Sequence, residues 1–444
     1  MQTSAPSTSA LAHTFRERLK GFLAPLLARL DEHLDSRLVR TLGATVEVLL
    51  QNRYHGSGLL LSELGAYLMS PEQAAAGTKR LSNLLRSKRW SAESLNEYLW
   101  EHAGQRLRDW ISRQRDPLAI WDGSVWEKPE SIALEGLGSV VSSRAKRLKR
   151  IRKGYYNPPG GPPVVVPGMH WLGLLLSGTG SAPVLAAMRW WTNRGERAEE
   201  QRNVERSLLE KCAAAWGKAV LHVFDRGYAG APWLEALARA EARFVMRWKK
   251  GNHLQDLLGD EAPAWMLVRG KKTRQSRMIR DQDGQLSRRG VLAVPVRHPA
   301  YPGPLWLVVS RRGNGHEPWY LLTSEVADTP AAMWKIVFAY ARRWQIEMTW
   351  RFGKTELAMQ SPRLWSWDNR LKLLLIVSLV YAFLLSLLDP LLKPLRDILL
   401  ERFCHRTGKR SRVCPTPLYR IRIALSYLWL CTSSPFMALR QNSG

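Results

Sequence analysis

Apolar residues recur at three- and four-residue spacing through residues 11–112, and this periodicity predicts an N-terminal region made of helices. From Pro117 onward the pattern changes to short apolar runs bounded by turn residues, which is typical of strands. Two helical stretches interrupt the strands, and one long helix over about 330–357 and an apolar helix over 371–388 follow them. This order predicts a mixed α/β sheet that is flanked by helices.

The most apolar stretch of the chain comprises the 16 residues between Lys372 and Asp389. A membrane-spanning helix needs about 20 such residues, so we expect a helix that is buried in the protein core. The first residues lack the apolar segment of a signal peptide, and four cysteines in 444 residues do not make a disulfide framework. We therefore expect a soluble cytoplasmic protein without a membrane partner.

The composition is strongly basic, because 66 Lys and Arg residues against 38 Asp and Glu residues give a net charge of +28. Such a balance favours a polyanionic partner, either nucleic acid or an anionic membrane surface. The densest basic run is 144–153, and four of its residues are expected to contact phosphates: Lys146, Arg147, Lys149 and Arg150. A solvated loop is the alternative for this run.

Residues 55–90 contain two or three short helices separated by glycine and proline. The last of these helices is basic and carries Lys79, Arg80, Arg86, Lys88 and Arg89. Short helices that end in a basic one are typical of a helix-turn-helix DNA reader. A solvated helix face explains the same residues equally well, so both interpretations stay open.

Two aspartates stand where apolar runs end. Asp122 follows the run LAIW and precedes Gly123, and Asp225 follows HVF and precedes RGYAG. A carboxylate that ends a buried strand loses its hydration, which is costly unless the group is paired or bound to a metal ion. For either aspartate taken alone, the simpler role is a cap of the following turn.

A third carboxylate belongs to a helix with an unusual polar face. Four residues follow one another there at steps of three, four and seven, and therefore share one side of the helix: Tyr340, Arg343, Glu347 and Lys354. Such a face suits a metal ion held by Glu347 while Arg343 and Lys354 bind phosphate oxygens. The alternative is an exposed helix stabilised by i,i+4 ion pairs of about 0.3–0.5 kcal/mol each.

The sequence at these positions resembles one family. The four spaced residues match the YREK signature of bacterial cut-and-paste insertion-sequence transposases with a DDE triad. The resemblance extends to WDGSVWEKPES around Asp122, to FDRGYAG around Asp225 and to PWYLLTSE before the helix. It covers about 117–365, and the ends of the chain match only in general character.

This resemblance implies a ribonuclease-H-like catalytic core with a β-strand insertion between the second aspartate and the glutamate. It implies that Asp122, Asp225 and Glu347 are catalytic and hold two Mg²⁺ (or Mn²⁺) ions, a role that suits hard carboxylate ligands. The implied activity is that of a DNA transposase, which cuts at terminal inverted repeats and joins the ends to target DNA, in related enzymes through a hairpin. A homodimer is expected, because two DNA ends must be held together. As a DNA-binding protein it is expected to associate with the nucleoid.

Further DNA contacts are expected by the same resemblance from Tyr340, Arg343 and Lys354. Trp319 matches a tryptophan that stacks on a flipped base in relatives, and packing on the core is the alternative. Arg226, directly after the second aspartate, has two open roles, namely holding a phosphate or pairing with an acidic residue.

The expected fold class is α/β, and the chain is expected to divide into five parts. Residues 1–112 form a helical DNA-binding domain, 113–235 the first part of the catalytic domain, and 236–335 the β-rich insertion. Residues 336–390 complete the catalytic domain, and the basic region 391–444 serves dimerisation or DNA contact. Two other functions stay open: a catalytically silent, repressor-like DNA-binding relative, and a ribonuclease-H-like nuclease that cuts without joining.

Overall fold

The computed structural model describes residues 6–52, 58–131, 133–142, 163–280, 286–313, 316–404 and 418–432. The basic run 144–153 lies outside the described residues. The phosphate contacts expected of its four residues (Lys146, Arg147, Lys149 and Arg150) therefore stay a prediction.

The N-terminal region is helical, as its periodicity predicts. The side chains of Ser7 and Asp35 accept hydrogen bonds from first-turn N–H groups and cap the first two helices. Leucines at three- and four-residue spacing bury one side of the first helix against its neighbours. The five helices are α1 (Thr8–Asp31), α2 (Ser36–Gln51), α3 (Leu61–Leu68), α4 (Ala74–Arg86) and α5 (Ala92–Ser112).

Helices α3 and α4 form a tightly packed pair. A Cβ atom on Gly77 would lie 2.1 Å from the carbonyl oxygen of Gly65, so glycine at these positions allows the two backbones to touch. Three leucines bury one side of α4. The other side is exposed and basic, with Lys79, Arg80 and Arg86.

The strands form one 12-stranded sheet in the order β2-β3-β1-β5-β6-β12-β11-β10-β7-β8, with β4 paired to β3 and β9 to β10. The first part of the sheet pairs β1 antiparallel with β3 and parallel with β5, and β5 parallel with β6. Its strands are β1 (Leu118–Glu127), β2 (Gly138–Val141), β3 (Val165–Ser177), β4 (Val184–Trp191), β5 (Leu221–Phe224) and β6 (Arg243–Arg247). Helices α6 (Gln201–Trp216) and α7 (Ala231–Arg239) connect β4 to β5 and β5 to β6.

The strands of the expected insertion continue the same sheet. β12 pairs antiparallel with β6, and β11 and β10 follow in turn. The expected boundary at 235/236 falls inside α7, and the additional strands begin after β6. They are β7 (His253–Gln255), β8 (Glu261–Pro263), β9 (Gln275–Arg280), β10 (Leu286–His298), β11 (Tyr301–Arg311) and β12 (Trp319–Thr323), with the short helix α8 (Ala264–Leu267) between β8 and β9.

The expectation of one long helix over 330–357 is wrong. The structure has two helices, α9 (Pro330–Ala341) and α10 (Trp344–Thr355). Between them, the N–H groups of residues 343, 345 and 346 donate to carbonyls three residues earlier. Such bonds tighten the turn and interrupt the regular α-helical pattern, so α10 begins directly after Arg343.

The expected apolar helix is α11 (Trp367–Ser386). Among the described helices it is the one long and apolar enough to cross a membrane, but 83% of its most apolar window is buried inside the protein. A helix that is apolar all round and surrounded by protein is a core helix. The chain continues with α12 (Lys393–Phe403) and α13 (Leu418–Leu430).

Lys372 in the first half of α11 is buried and binds the end of α4. Its ammonium group donates to the carbonyl oxygens of Leu85 at 3.0 Å and Ser87 at 2.7 Å. It also lies 4.7 Å from the ring centre of Trp90. Burial lowers the pKa of Lys372. The cation satisfies carbonyls that a helix end leaves unpaired, and it thereby fixes α4 against the core helix.

We predict that Lys372→Met lowers the free energy of unfolding by about 1.5–3 kcal/mol, because two carbonyls lose a charged donor. Lys393→Met on α12 is the control, since Lys393 is exposed and its ion pair with Asp397 is a surface pair. The control is expected to change stability by less than about 1 kcal/mol. Urea unfolding measures both variants, and equal losses would contradict the role of Lys372.

Candidate active site

The sequence predicts Asp122 at the end of a strand, and this is wrong. The structure places Asp122 in the middle of β1. Pairing with β3 carries β1 on as far as Glu127. The parallel pairing with β5 stops earlier, at Ile120 and Val223, and Asp225 directly follows β5. The two aspartates therefore stand at the edge where the parallel pairing of β1 and β5 ends.

Helix α10 lies against the face of β1 and β3 that carries Asp122. In the antiparallel register Asp122 is opposite Gly173. Because Gly173 has no side chain, the ring of Trp350 fits there, and a Cβ atom on Gly173 would lie 2.2 Å from that ring. The indole N–H of Trp350 donates to Oδ2 of Asp122 at 3.0 Å.

Lys354 reaches the same strand from the next turn of α10. Its ammonium group donates to the hydroxyl oxygen of Ser124 at 2.7 Å, and Ser124 lies two residues after Asp122 on the same face of β1. The spacing of Glu347 and Lys354 along α10 thus places both over β1 and its carboxylate. Of the four residues expected on one helix face, Glu347 and Lys354 share a side of α10, whereas Tyr340 belongs to α9 and Arg343 to the turn between the two helices.

The three carboxylates act on one another. Loss of hydration raises the pKa of Asp122 to about 7, and the charges of Asp225 and Glu347 contribute to the increase. The nearby Arg343 guanidinium lowers it. Arg343 is buried and donates to Oε1 of Glu347. The carboxylates therefore interact through space, and one buried arginine offsets part of their negative charge.

Asp225 also has the simpler role that the sequence left open. Its Oδ1 accepts the N–H of Gly227 at 2.7 Å, which closes the turn at Arg226–Tyr228. One oxygen of this carboxylate is therefore used by the turn, and the other remains for a further partner.

The donor groups suit a divalent cation, although they are not gathered around one point. Within the described part of the chain, no three His, Cys, Asp or Glu side chains form a group that could hold a metal ion. Glu347 is engaged with Arg343. However, carboxylates are the ligands that Mg²⁺ and Mn²⁺ prefer. A desolvated aspartate near two other carboxylates favours a cation beside it. Asp122, Asp225 and Glu347 are the residues that would hold such ions.

Trp319 and Tyr340 pack on each other beside the site. Their ring centroids are 5.2 Å apart in an edge-on arrangement. The guanidinium of Arg289 lies 4.5 Å from the centre of the Trp319 ring, so this residue stacks on the indole. Tyr340 is 4% exposed and contacts Arg343. Tyr340 is thus almost fully buried beside Arg343, and the DNA contact expected of it stays a prediction.

Arg226 is exposed, and its Nη1 lies 4.0 Å from a carboxylate oxygen of Glu317. That distance is the outer limit of an ion pair, and pairs between such exposed groups contribute little. Of the two roles left open for Arg226, the structure shows the pairing with an acidic residue in this weak form.

Four neighbours of the expected residues were not predicted from the sequence: Ser124, Gly173, Arg289 and Trp350. A signal for Trp350 exists, because it follows Glu347 by three residues and therefore shares its helix face. The other three depend on strand register and on packing between elements distant in sequence, which no local pattern encodes.

One family model matches part of the chain. Residues 195–383 match the family model described as the transposase DDE domain, a segment that includes Asp225 and Glu347 and begins after β4. The match supports a transposase of the DDE type. The cryo-EM structure of a piggyBac transposase synaptic complex with hairpin DNA aligns with 99% of this chain and 83% of its own, at 11% identity and a TM-score of 0.43. No curated protein matches the sequence.

We predict that Gly173→Ala lowers the free energy of unfolding by about 1–3 kcal/mol, because the added methyl group collides with the Trp350 ring. Gly123→Ala in the paired strand is the control, since a Cβ atom there would meet its nearest neighbour at 3.7 Å. The control is expected to stay within about 0.5 kcal/mol of the wild type. Urea unfolding measures both, and a Gly173→Ala protein as stable as the control would contradict the close contact.

Proposed function

We propose that the protein is the DNA transposase of an insertion sequence, with a ribonuclease-H-like catalytic domain. It cuts at terminal inverted repeats and joins the ends to target DNA. The observation that carries the proposal is geometric: Trp350 of α10 donates to Asp122 on β1, and Asp225 follows β5 where its parallel pairing with β1 ends. The family match over 195–383 supports the activity. The antiparallel strands β4, β3 and β1 followed by parallel β5 and β6 support the fold.

In this proposal Asp122, Asp225 and Glu347 hold two divalent ions, Mg²⁺ or Mn²⁺. When bound, such ions activate the attacking oxygen and stabilise the leaving 3′ oxygen of a phosphoryl transfer. Lys354, held by Ser124, and Arg343 supply positive charge for phosphate oxygens. The ring of Tyr340 packs beside the guanidinium of Arg343, with 5.9 Å between the ring centre and the guanidinium carbon.

The experiment that tests the function combines purified protein, Mg²⁺ and duplex DNA that carries the terminal inverted repeats of the element. We predict that Glu347→Gln abolishes cleavage and joining while DNA binding persists, because the substitution removes a carboxylate charge and keeps the side-chain shape. Glu210→Gln, at an exposed position of α6, is the control and is expected to cleave as the wild type does. Unchanged cleavage by Glu347→Gln would contradict the catalytic assignment.

The products of the same assay separate the related functions. A fold-back product on a denaturing gel indicates the hairpin route, and nicks without joining indicate a nuclease. Specific binding without any cleavage by the wild type indicates a repressor-like protein. The expected homodimer is tested by the mass of the complex with two DNA ends, measured by light scattering.

We further propose that α3 and α4 bind duplex DNA, with α4 as the reading helix. Three observations support this: the tight α3–α4 pair, the exposed basic side of α4, and the attachment of its end to Lys372. Within the described part of the chain, neither Lys79 nor Arg80 forms an ion pair with an acidic side chain, so both cations are available to phosphates.

We predict that Lys79→Ala and Arg80→Ala each weaken binding to duplex DNA and each reduce the slope of log affinity against log salt by about 1, as expected when one phosphate contact is lost. Arg239→Ala on α7 is the control, because Arg239 is exposed beside an acidic residue of its own helix, Glu235. Fluorescence anisotropy at several salt concentrations measures the slopes. Slopes equal to that of the wild type would exclude α4 from the DNA interface.

A further inference from the structure

The indole of Trp350 connects α10 to β1 in a fixed orientation. Its N–H lies 3.0 Å from Oδ2 of Asp122, and the residue is 6% exposed. Its ring packs on that of Trp171, with 4.8 Å between the centroids and 30° between the planes. The space above Gly173 accommodates the ring. In such dense packing the indole cannot rotate without displacing its neighbours.

We propose that Trp350 is a positioning residue that sets the orientation of the Asp122 carboxylate for binding a divalent cation. The inference rests on the proposed function, in which Asp122 is a ligand of that cation. A carboxylate rotates broadly about its last side-chain bond. The indole N–H on Oδ2 selects one orientation and leaves Oδ1 for the cation. Hydrogen-bond partners of metal ligands orient them in this way and raise the affinity for the metal.

The chemistry of indole suits this position. The group donates one hydrogen bond and accepts none, so it binds the ionised carboxylate and does not compete with it as a ligand. It also adds no charge to a site in which the positive charge of Arg343 already offsets the carboxylates. Histidine would bring a possible metal ligand to this place, and lysine would bring a second cation.

The test measures cation binding apart from catalysis. Mn²⁺ is titrated by calorimetry into the full chain without DNA. Trp350→Phe keeps an aromatic ring and removes the donor, and its Kd for Mn²⁺ is expected to be about 10- to 100-fold higher than that of the wild type. In the cleavage assay, the Mg²⁺ concentration for half-maximal rate is expected to rise by a similar factor. The rate at saturating Mg²⁺ is expected to fall less.

Trp190→Phe is the matched control. Trp190 belongs to the same aromatic cluster, packs on Trp171 at 5.8 Å and has no hydrogen-bond partner for its indole nitrogen among the described residues. Its substitution therefore removes a buried indole N–H without breaking a hydrogen bond to any described residue. This variant is expected to bind Mn²⁺ with the wild-type Kd.

A second variant separates the loss of the hydrogen-bond donor from any packing defect that Trp350→Phe causes. Benzothienylalanine at position 350 replaces the indole N–H by sulfur and keeps the shape of the ring, so only the donor is lost. The inference requires this variant to raise the Kd for Mn²⁺ while its urea unfolding midpoint stays at the wild-type value. A wild-type Kd in the benzothienylalanine variant would overturn the inference, whatever Trp350→Phe does.

Asp122→Asn distinguishes a failure of the Trp350 inference from a failure of the proposed function. If it abolishes Mn²⁺ binding and cleavage while the benzothienylalanine variant behaves as the wild type, the proposed function stands and the role of Trp350 is wrong. If Asp122→Asn binds Mn²⁺ and cleaves as the wild type does, the proposed function itself fails, and the role of Trp350 fails with it.

Discussion

The contact between α10 and the face of β1 and β3 is the constraint on which the site depends. Glu347, Trp350 and Lys354 lie on one side of a two-turn stretch of helix, and Trp350 and Lys354 donate hydrogen bonds to side chains of β1 because the helix lies close to the sheet. The close approach requires glycine at position 173, where a methyl group has no room. One missing side chain on β3 thus decides whether Trp350 and Lys354 reach the strand that carries Asp122.

The same contact creates an electrostatic problem. A strand aspartate that loses its hydration beside two other carboxylates is costly in the absence of cations. Within the protein, buried Arg343 supplies the opposing charge, donates to Glu347 and packs beside the ring of Tyr340. The net charge of +28 is a sum over the whole chain and does not by itself place a cation beside these carboxylates.

Local patterns predicted the helices and helix faces, which depend on the spacing of apolar and polar residues. The N-terminal helices, the buried apolar helix and the shared helix face from Glu347 to Lys354 follow from residue spacing alone, and the structure agrees with each of them. The patterns failed where pairing with distant strands decides. β1 runs past Asp122 because β3 supplies partners as far as Glu127, and no feature of the sequence around Asp122 indicates this.

The break between α9 and α10 was missed for a related reason. The residues around Arg342 and Arg343 contain neither glycine nor proline, so nothing local indicates an interruption. Arg343 is buried near Asp122 of the distant strand β1, which is a tertiary effect, and the tight turn accompanies it. The stacking of Arg289 on Trp319 likewise depends on β10 lying near β12, which the sequence does not show.

The continuity of the sheet has a mechanical consequence. β12 is hydrogen-bonded on one side to β6 and on the other to β11, and only six residues separate its end from the start of α9. The additional strands therefore cannot swing as a hinged flap without breaking the bonds between β12 and β6. A displacement of β12 therefore also displaces β6, its hydrogen-bonded partner, and β6 pairs in turn with β5, the strand that Asp225 directly follows.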